Sequence, residues 1–157
     1  MLGNIKQIVK VDVGFGDVIT PGAVLLEYPH LLEMEPLKVM AYSVETVIAE
    51  KFHAMVFMPQ INSRMKDFYD VMLLLDHPSL RQDMLYVAIH ETFKNRNTKY
   101  EADMPLFTED YQNDVARNKM YQAYLNKIGI KDKQQFSQIT KKIFDVLKPI
   151  YERLDGK

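Results

Sequence analysis

Hydrophobic residues alternate with polar ones at the front of the chain. In residues 8–13, three valines fall on one face of an extended segment, and Lys10 and Asp12 fall on the other, which is typical of a half-buried strand. Four of the six glycines lie within the first 22 residues, where they favour turns and disfavour helix. Short apolar runs beside these turns predict three further strands, over residues 18–20, 23–28 and 37–42.

After residue 43 the apolar residues recur every three or four positions, which predicts amphipathic helices around a shared core. Ser43 is a suitable N-cap for the first helix, and Ser79 with Gln82 has the spacing of a capping box for the third. The five predicted helices span residues 44–58, 64–76, 80–94, 109–128 and 133–154. The expected fold is α+β and mainly helical, with short N-terminal strands or a hairpin in a partial sheet domain (1–42) and a helical domain (43–157) packed on it.

Two of the predicted helices place charged residues among their apolar side chains. On a wheel of about 100° per residue, Lys51 falls near the middle of the apolar arc of the first helix, whereas Glu50 and His53 fall opposite. Arg64 and Asp67 lie among the apolar residues of the second helix. An unpaired charge on a buried face is costly, so each of these residues needs a partner or a function. Other charges lie nearer the edges of the arcs: Glu45, Lys66 and Asp70.

These charges have a structural and a functional interpretation. In the structural one, Lys51 extends its ammonium group to solvent and Arg64 pairs with Asp67. In the functional one, the same residues line a polar cleft together with Asp12, because lysine can neutralise a phosphate and carboxylates can hold Mg²⁺. Residue patterns alone leave both interpretations open.

Composition narrows the class of protein. The chain has 157 residues, 47% of them hydrophobic and 26% charged, which is the balance of one globular domain rather than of a disordered or fibrous chain. Because it has no cysteine, disulfides, thiolate zinc sites and cysteine nucleophiles are excluded. No apolar run in the sequence approaches the roughly 18 residues of a membrane span. The N-terminus is polar and does not resemble a signal peptide, so a cytoplasmic location is expected.

Net charge gives no sign of a nucleic-acid-binding protein, because 20 basic residues balance 21 acidic ones. Residues 117–148 are an exception, with eight basic residues against two acidic ones. This region is either a solvated helical surface or a surface that receives an RNA backbone.

Three segments of the chain resemble motifs of the AbiEii/AbiGii toxin family. They occur in the expected order with short spacers: residues 11–17 (VDVGFGD), 42–55 (YSVETVIAEKFHAM) and 62–70 (NSRMKDFYD). A weaker match extends the resemblance to residue 96. The family is similar to the DNA polymerase β-like nucleotidyltransferases, and its members are the toxins of type IV toxin–antitoxin or phage-abortive systems.

The resemblance implies transfer of a nucleotide from an NTP to an acceptor, which in some members is the 3′ end of tRNA, with Mg²⁺ as cofactor. It also implies a cognate antitoxin as partner. By position, Asp12 matches the family's strand-borne acid and would bind metal or activate the acceptor hydroxyl, with Asp17 as a second choice. Lys51 matches the helical lysine that contacts the NTP phosphates. Asp67 matches the acid of the Arg-x-Lys-Asp segment, which would orient Lys51 or position the base or the acceptor.

Four neighbouring charges are assigned supporting roles. Arg64 and Lys66 stand in the same motif as Asp67 and would add contacts to the NTP, whereas Glu45 and Asp70 are expected to be structural polar residues. Lys51 and Asp67 are singled out twice, once by the helical wheel and once by the motif match.

One part of the nucleotidyltransferase pattern is missing. Such enzymes carry an earlier Gly-Gly or Gly-Ser turn and an Asp-x-Asp pair that holds the catalytic metals, but the eleven residues before Asp12 contain no acid. We therefore expect a truncated nucleotidyltransferase with an incomplete metal site, inactive alone. The alternative is a non-catalytic helical module that binds an antitoxin or RNA. An exposed sheet edge or apolar patch would favour that module or a dimer.

Overall fold

A two-stranded sheet near the N-terminus precedes a series of helices. The computed structural model describes residues 8–11, 13–28, 35–59 and 63–155. Strands β1 (Val24–Tyr28) and β2 (Leu37–Ala41) pair antiparallel. The helices are α1 (Val44–Phe57), α2 (Met65–Leu74), α3 (Gln82–Asn95), α4 (Glu109–Gln112), α5 (Val115–Lys127) and α6 (Phe136–Glu152). With five helices of ten or more residues in the described ranges, the expected mainly helical α+β fold is confirmed.

Local capping explains where helices begin and why one predicted boundary is wrong. The Ser43 hydroxyl accepts a hydrogen bond from the Thr46 N–H at 3.2 Å, as expected for the N-cap of α1. The single helix predicted over residues 109–128 is divided, because Asp114 adopts an extended backbone and accepts from the Arg117 N–H. A side-chain cap can thus begin a new helix without any change in the apolar periodicity.

The strands predicted before residue 23 do not form in the part of the chain described. Residues 8–11 and 13–20 have no strand pairing, whereas the strands predicted over 23–28 and 37–42 are confirmed as β1 and β2. Five apolar residues of this N-terminal segment are 69–94% exposed, namely Ile8, Val9, Val11, Val13 and Phe15. Alternation produces a strand only where a neighbouring strand supplies hydrogen bonds, and the described residues provide none.

Both faces of the β1–β2 hairpin are largely open to solvent. Every residue of β1 is exposed, and Leu25, Tyr28 and Met40 are each more than half exposed. A two-stranded hairpin without a covered face is marginally stable in water. The segment just before the hairpin is anchored, however, because the Thr46 hydroxyl of α1 accepts from the Thr20 N–H at 2.9 Å.

The core lies between the helices. Helix α1 packs on α2 and α3, and α6 packs on α2, α3 and α5. Phe52 and Phe68 are fully buried, and each makes an edge-on contact with another ring, that of Tyr151 and Phe136 respectively. This packing fixes α1 against α2, the two helices that carry the charges singled out by the sequence. Among the described helices, none combines the length and apolarity needed to cross a bilayer.

Candidate functional site

A lysine and two aspartates form a charged cluster between α1 and α2. Lys51 lies in the middle of α1, and Asp67 and Asp70 lie about one turn apart in α2. The Lys51 Nζ is 2.6 Å from Asp67 Oδ1 and 2.8 Å from Asp70 Oδ2. The three side chains are only 12–26% exposed, so these charge-assisted hydrogen bonds are partly shielded from water. The structure therefore brings Lys51 and Asp67 together and adds Asp70 to them.

Lys51 is a permanent cation in this cluster. Burial lowers the pKa of Lys51, but the hydrogen bonds from its ammonium group to Asp67 and Asp70 outweigh that effect, and the pKa lies above its ordinary value. Lys51 therefore stays protonated and cannot act as a neutral base at physiological pH.

The Lys51–Asp67 pair lies on the wall of a cleft of about 730 Å³, which we call the main cleft. Its size is within the range of small-molecule sites. The lining combines charged residues (Glu50, Lys51, Arg64, Asp67 and Arg96) with apolar ones such as Phe57 and Met58. Three cations and two carboxylates thus border one space, which suits an anionic ligand that also carries neutral polar groups.

Arg96, just after α3, joins the N-terminal segment to this cleft. Its Nη2 donates to Asp17 Oδ1 at 2.8 Å and to Glu50 Oε2 at 3.0 Å. The Tyr42 hydroxyl donates to the other Asp17 oxygen at 2.9 Å, and this hydrogen bond is the main cause of the raised pKa of Tyr42. Both carboxylate oxygens of Asp17 are therefore engaged by the protein, in a geometry that tethers the N-terminal segment to α1 and α3.

Sequence patterns do not single out Glu50, Tyr42 or Arg96 as site residues. On the wheel Glu50 lies opposite the apolar arc of α1, yet its side chain is only 20% exposed. One Glu50 oxygen is buried without a hydrogen-bond partner among the described residues. The sequence feature that could have predicted this polar face of α1 is the stripe formed by Thr46, Glu50 and His53, which are spaced four and three residues apart.

His53 is predicted to face solvent, but the structure places it half-buried in the wall of the main cleft. Its Nε2 lies 2.7 Å from the Thr98 hydroxyl, and its ring stacks on Phe57 with centroids 5.7 Å apart. Burial, followed by the charge of Arg96, lowers the pKa of His53, so the ring is neutral at physiological pH. The prediction is wrong because α3 and the residues after it cover this face of α1, as the edge-on contact with Phe93 shows.

Glu45 is buried at the start of α1, with 4% of its side chain exposed. Its Oε1 accepts from the Arg81 backbone N–H at 2.9 Å and lies 3.8 Å from the Arg81 Nε. Helix α3 begins immediately after Arg81, so Glu45 supplies a carboxylate to the N-terminus of another helix. The capping box predicted for Ser79 and Gln82 is wrong, since Gln82 is the first residue of α3 rather than its third.

Arg64 and Lys66 lie at the N-terminal end of α2, and both are exposed. Arg64 lines the main cleft, whereas Lys66 lies on a second cleft of about 660 Å³, whose far side includes Lys127 of α5. The two clefts meet at Arg64 and Asp67. Of the two residues assigned to supporting contacts with the NTP, Arg64 shares a cleft with Lys51 and Lys66 lies beside it.

The described carboxylates do not form a site that fits Mg²⁺. No group of three acidic or histidine side chains converges in the part of the chain that the structure describes, and Mg²⁺ demands a near-octahedral set of oxygen ligands. Asp67 and Asp70 hold Lys51 instead, and both oxygens of Asp17 are engaged. Asp12, the predicted catalytic acid and metal ligand, lies outside the described residues, so its role stays a prediction.

Comparisons with known proteins bear on the family. Neither the curated proteins nor the solved structures give a significant match. The profile of one family, described as nucleotidyl transferase AbiEii toxin of a type IV toxin–antitoxin system, matches residues 1–142. This range includes all three motif segments and the cluster of Lys51, Asp67 and Asp70. The chain therefore belongs to the AbiEii family of nucleotidyl transferase toxins.

Proposed function

We propose that the main cleft binds the triphosphate of an NTP and that the protein transfers a nucleotide from it to an acceptor. The observation that carries this proposal is the position of Lys51, a fixed cation on the cleft wall held by Asp67 and Asp70. Nucleotidyl transfer needs such a pre-oriented cation, because charge on the phosphate oxygens has to be stabilised without reorganisation of the site. Membership of the AbiEii family supplies the reaction class.

Each residue near the cluster has a separate role in this proposal. Lys51 contacts the phosphates, and Asp67 and Asp70 orient its ammonium group and keep it charged. Arg64 adds a second cation on the same cleft wall. Lys66 faces the second cleft, where it is suited to a more distant part of the substrates. Neither Lys51 nor its two partners needs to transfer a proton, which agrees with the raised pKa of Lys51.

The expected Mg²⁺ cofactor would clamp phosphate oxygens during transfer. The proposal does not place it on Asp17, both of whose oxygens are engaged by other side chains, nor on Asp67 and Asp70, each of which has one oxygen engaged by Lys51. Asp12 is the residue proposed to hold the metal or to activate the acceptor hydroxyl, on the strength of the motif resemblance.

The 3′ end of tRNA is the proposed acceptor, and a cognate antitoxin is the proposed partner. The antitoxin is proposed because a type IV toxin acts within a toxin–antitoxin pair. The tRNA acceptor is proposed from the motif resemblance, because the 3′ end of tRNA is the acceptor in some members of the family. The second cleft offers a place for an acceptor strand, because it adjoins Asp67 and carries Lys66 and Lys127. In this proposal residues 1–42 belong to the catalytic sheet and residues 43–157 form the helical domain that presents Lys51.

Direct binding of NTPs tests the proposal without requiring turnover. Each of the four NTPs is titrated calorimetrically into wild-type protein, Lys51→Met and Lys142→Met. Lys142 is a matched control because it also pairs with an aspartate, Asp76, but lies on α6 outside both clefts. Loss of a charge-assisted contact at Lys51 should weaken NTP binding roughly tenfold or more, and Lys142→Met should leave it unchanged. Wild-type protein that binds no NTP, or equal effects of the two substitutions, would contradict the proposal.

Transfer itself is measured with radiolabelled NTPs and total tRNA. Any label that wild-type protein adds to the 3′ end of tRNA should be lost with Lys51→Met, and transfer by wild-type protein would overturn the expectation that this chain is inactive alone. Label transferred to a different acceptor would retain the reaction class and reject tRNA.

A non-catalytic binding module is the second candidate, and the exposed apolar N-terminal segment favours it. Val11 and Phe15 are 75% and 90% exposed, and such a surface is typical of a contact with another macromolecule. A module that binds RNA or antitoxin would retain that partner in Lys51→Met and Asp67→Asn and would bind no NTP. The nucleotidyltransferase proposal requires the opposite result for NTP binding, so one titration separates the two.

A further inference from the structure

We propose that Phe57 and His53 form an aromatic platform on which the base of the NTP stacks. This inference rests on the proposed function, because it assigns the base end of the nucleotide whose phosphates are placed at Lys51. It concerns Phe57, whose position in the cleft is explained neither by the charged cluster nor by the contacts of Arg96 with Asp17 and Glu50.

Phe57 is an exposed ring at the last position of α1. It is 61% exposed, whereas every other phenylalanine of the described helices α1–α6 is at most 4% exposed. A phenyl ring left in water forgoes the free energy that burial would supply. Because this ring lines the main cleft, it is available to a ligand that brings its own flat apolar surface.

The ring is held in one orientation before any ligand arrives. It stacks on the imidazole of His53 with 21° between the ring planes. His53 is fixed in turn by the Thr98 hydroxyl at 2.7 Å and by Phe93, whose ring lies edge-on with centroids 5.3 Å apart. A ring supported from behind loses little freedom when a base stacks on its open face.

The spacing along α1 suits the two ends of a nucleotide. Phe57 follows Lys51 by six residues, which is a rise of about 9 Å along the helix axis. An extended nucleotide carries its terminal phosphates and its base at opposite ends. Phosphates held by Lys51 and Arg64 would therefore leave the base near the end of α1, beside Phe57. Because every base has a π-face, this platform binds the base without selecting among the four.

Comparing ATP with inorganic triphosphate separates the base contact from the phosphate contact. Both ligands are titrated calorimetrically into wild-type protein, Phe57→Ala, Phe57→Trp and Val115→Ala. Val115 is the control because it is apolar and 68% exposed but lies on α5, outside the main cleft. Circular dichroism of each variant verifies folding, which exposed substitutions should leave intact.

Phe57→Ala should weaken ATP binding by a factor of roughly 5 to 100, as expected for loss of one base–aromatic stack, and should leave triphosphate binding unchanged. Phe57→Trp should retain ATP binding, and Val115→Ala should alter neither ligand. Equal weakening of ATP and triphosphate in Phe57→Ala, or no weakening of either, would overturn the platform. Equal binding of triphosphate and ATP by wild-type protein would overturn the aromatic platform but would remain consistent with the phosphate site at Lys51. Wild-type protein that binds neither would overturn the proposed function and this inference together.

Discussion

The ammonium nitrogen of Lys51 lies 2.6 Å from a carboxylate oxygen of Asp67, across the interface between α1 and α2. The two side chains are 21% and 12% exposed, so water screens their attraction only in part. A shielded ion pair adds little net stability relative to an apolar pair, but removing one partner leaves the other charge uncompensated. Each single substitution is therefore expected to lower the free energy of unfolding. The double substitution should lower it by less than the sum of the two single effects.

Lys51→Met should lower the free energy of unfolding by about 1–3 kcal/mol, because Asp67 and Asp70 lose the cation that they share. Adding Asp67→Asn should recover part of that loss, since one of the two uncompensated carboxylates is then neutral. Urea unfolding of wild type, both single variants and the double variant gives the coupling free energy. A coupling below about 0.5 kcal/mol would contradict a direct interaction between the two residues.

Glu45→Ala should lower the free energy of unfolding by about 1–3 kcal/mol, because the Arg81 N–H at the start of α3 would lose its acceptor. Glu45→Gln should cost less, since the amide oxygen can still accept that hydrogen bond. Glu152→Ala is the control, because Glu152 pairs with Lys148 at an exposed position where an ion pair contributes little. The capping role fails if all three variants unfold at the same urea concentration as wild type.

The helices are predictable from sequence where the signal is local. Helix α1 follows from its apolar spacing and from Ser43, whose side chain caps it within three residues. The break at Asp114 is local too, but an apolar pattern continues across it and conceals the cap. The strand expected over residues 8–13 depends on a neighbouring strand, which no pattern within the segment can supply.

Part of the site is also predictable, because its signal is local. Lys51 and Asp67 are visible because each is an anomaly within its own helix. Glu50 and Arg96 are not visible, because their contact joins residues 46 positions apart. A wheel with one apolar arc also assumes one buried face, whereas the opposite face of α1 is covered by α3 and the N-terminal segment. A polar residue on a helix that is covered on two faces is thus easily mistaken for a solvent-exposed one.

Thr46→Val should release the N-terminal segment from α1. The Thr46 hydroxyl accepts from the Thr20 N–H and donates to the Thr20 carbonyl, both at 2.9 Å. Valine keeps the shape but removes both hydrogen bonds. The Thr20 carbonyl still accepts from the Ser43 hydroxyl at 2.6 Å, so a loss of about 1–3 kcal/mol is expected from the buried Thr20 N–H, which is left unpaired. Hydrogen exchange should accelerate in residues 16–22 and remain slow in the middle of α1.

Thr140→Val is the matched control for that experiment, because the Thr140 hydroxyl is also buried but bonds to the Phe136 carbonyl within α6. It should leave exchange in residues 16–22 unchanged. Equal acceleration in the two variants would mean that Thr46 affects the whole fold rather than anchoring one segment.

His53 should make stability depend on pH on the acidic side of neutrality. Burial, followed by the charge of Arg96, lowers its pKa from the ordinary value of 6.5. Between the lowered folded pKa and 6.5, the unfolded state binds more protons than the folded state, so stability falls as the pH falls through this window. His53→Gln cannot titrate, and its free energy of unfolding should decline less steeply below about pH 6.5 while running parallel to wild type above pH 7. A slope in His53→Gln as steep as that of wild type would refute a buried neutral His53.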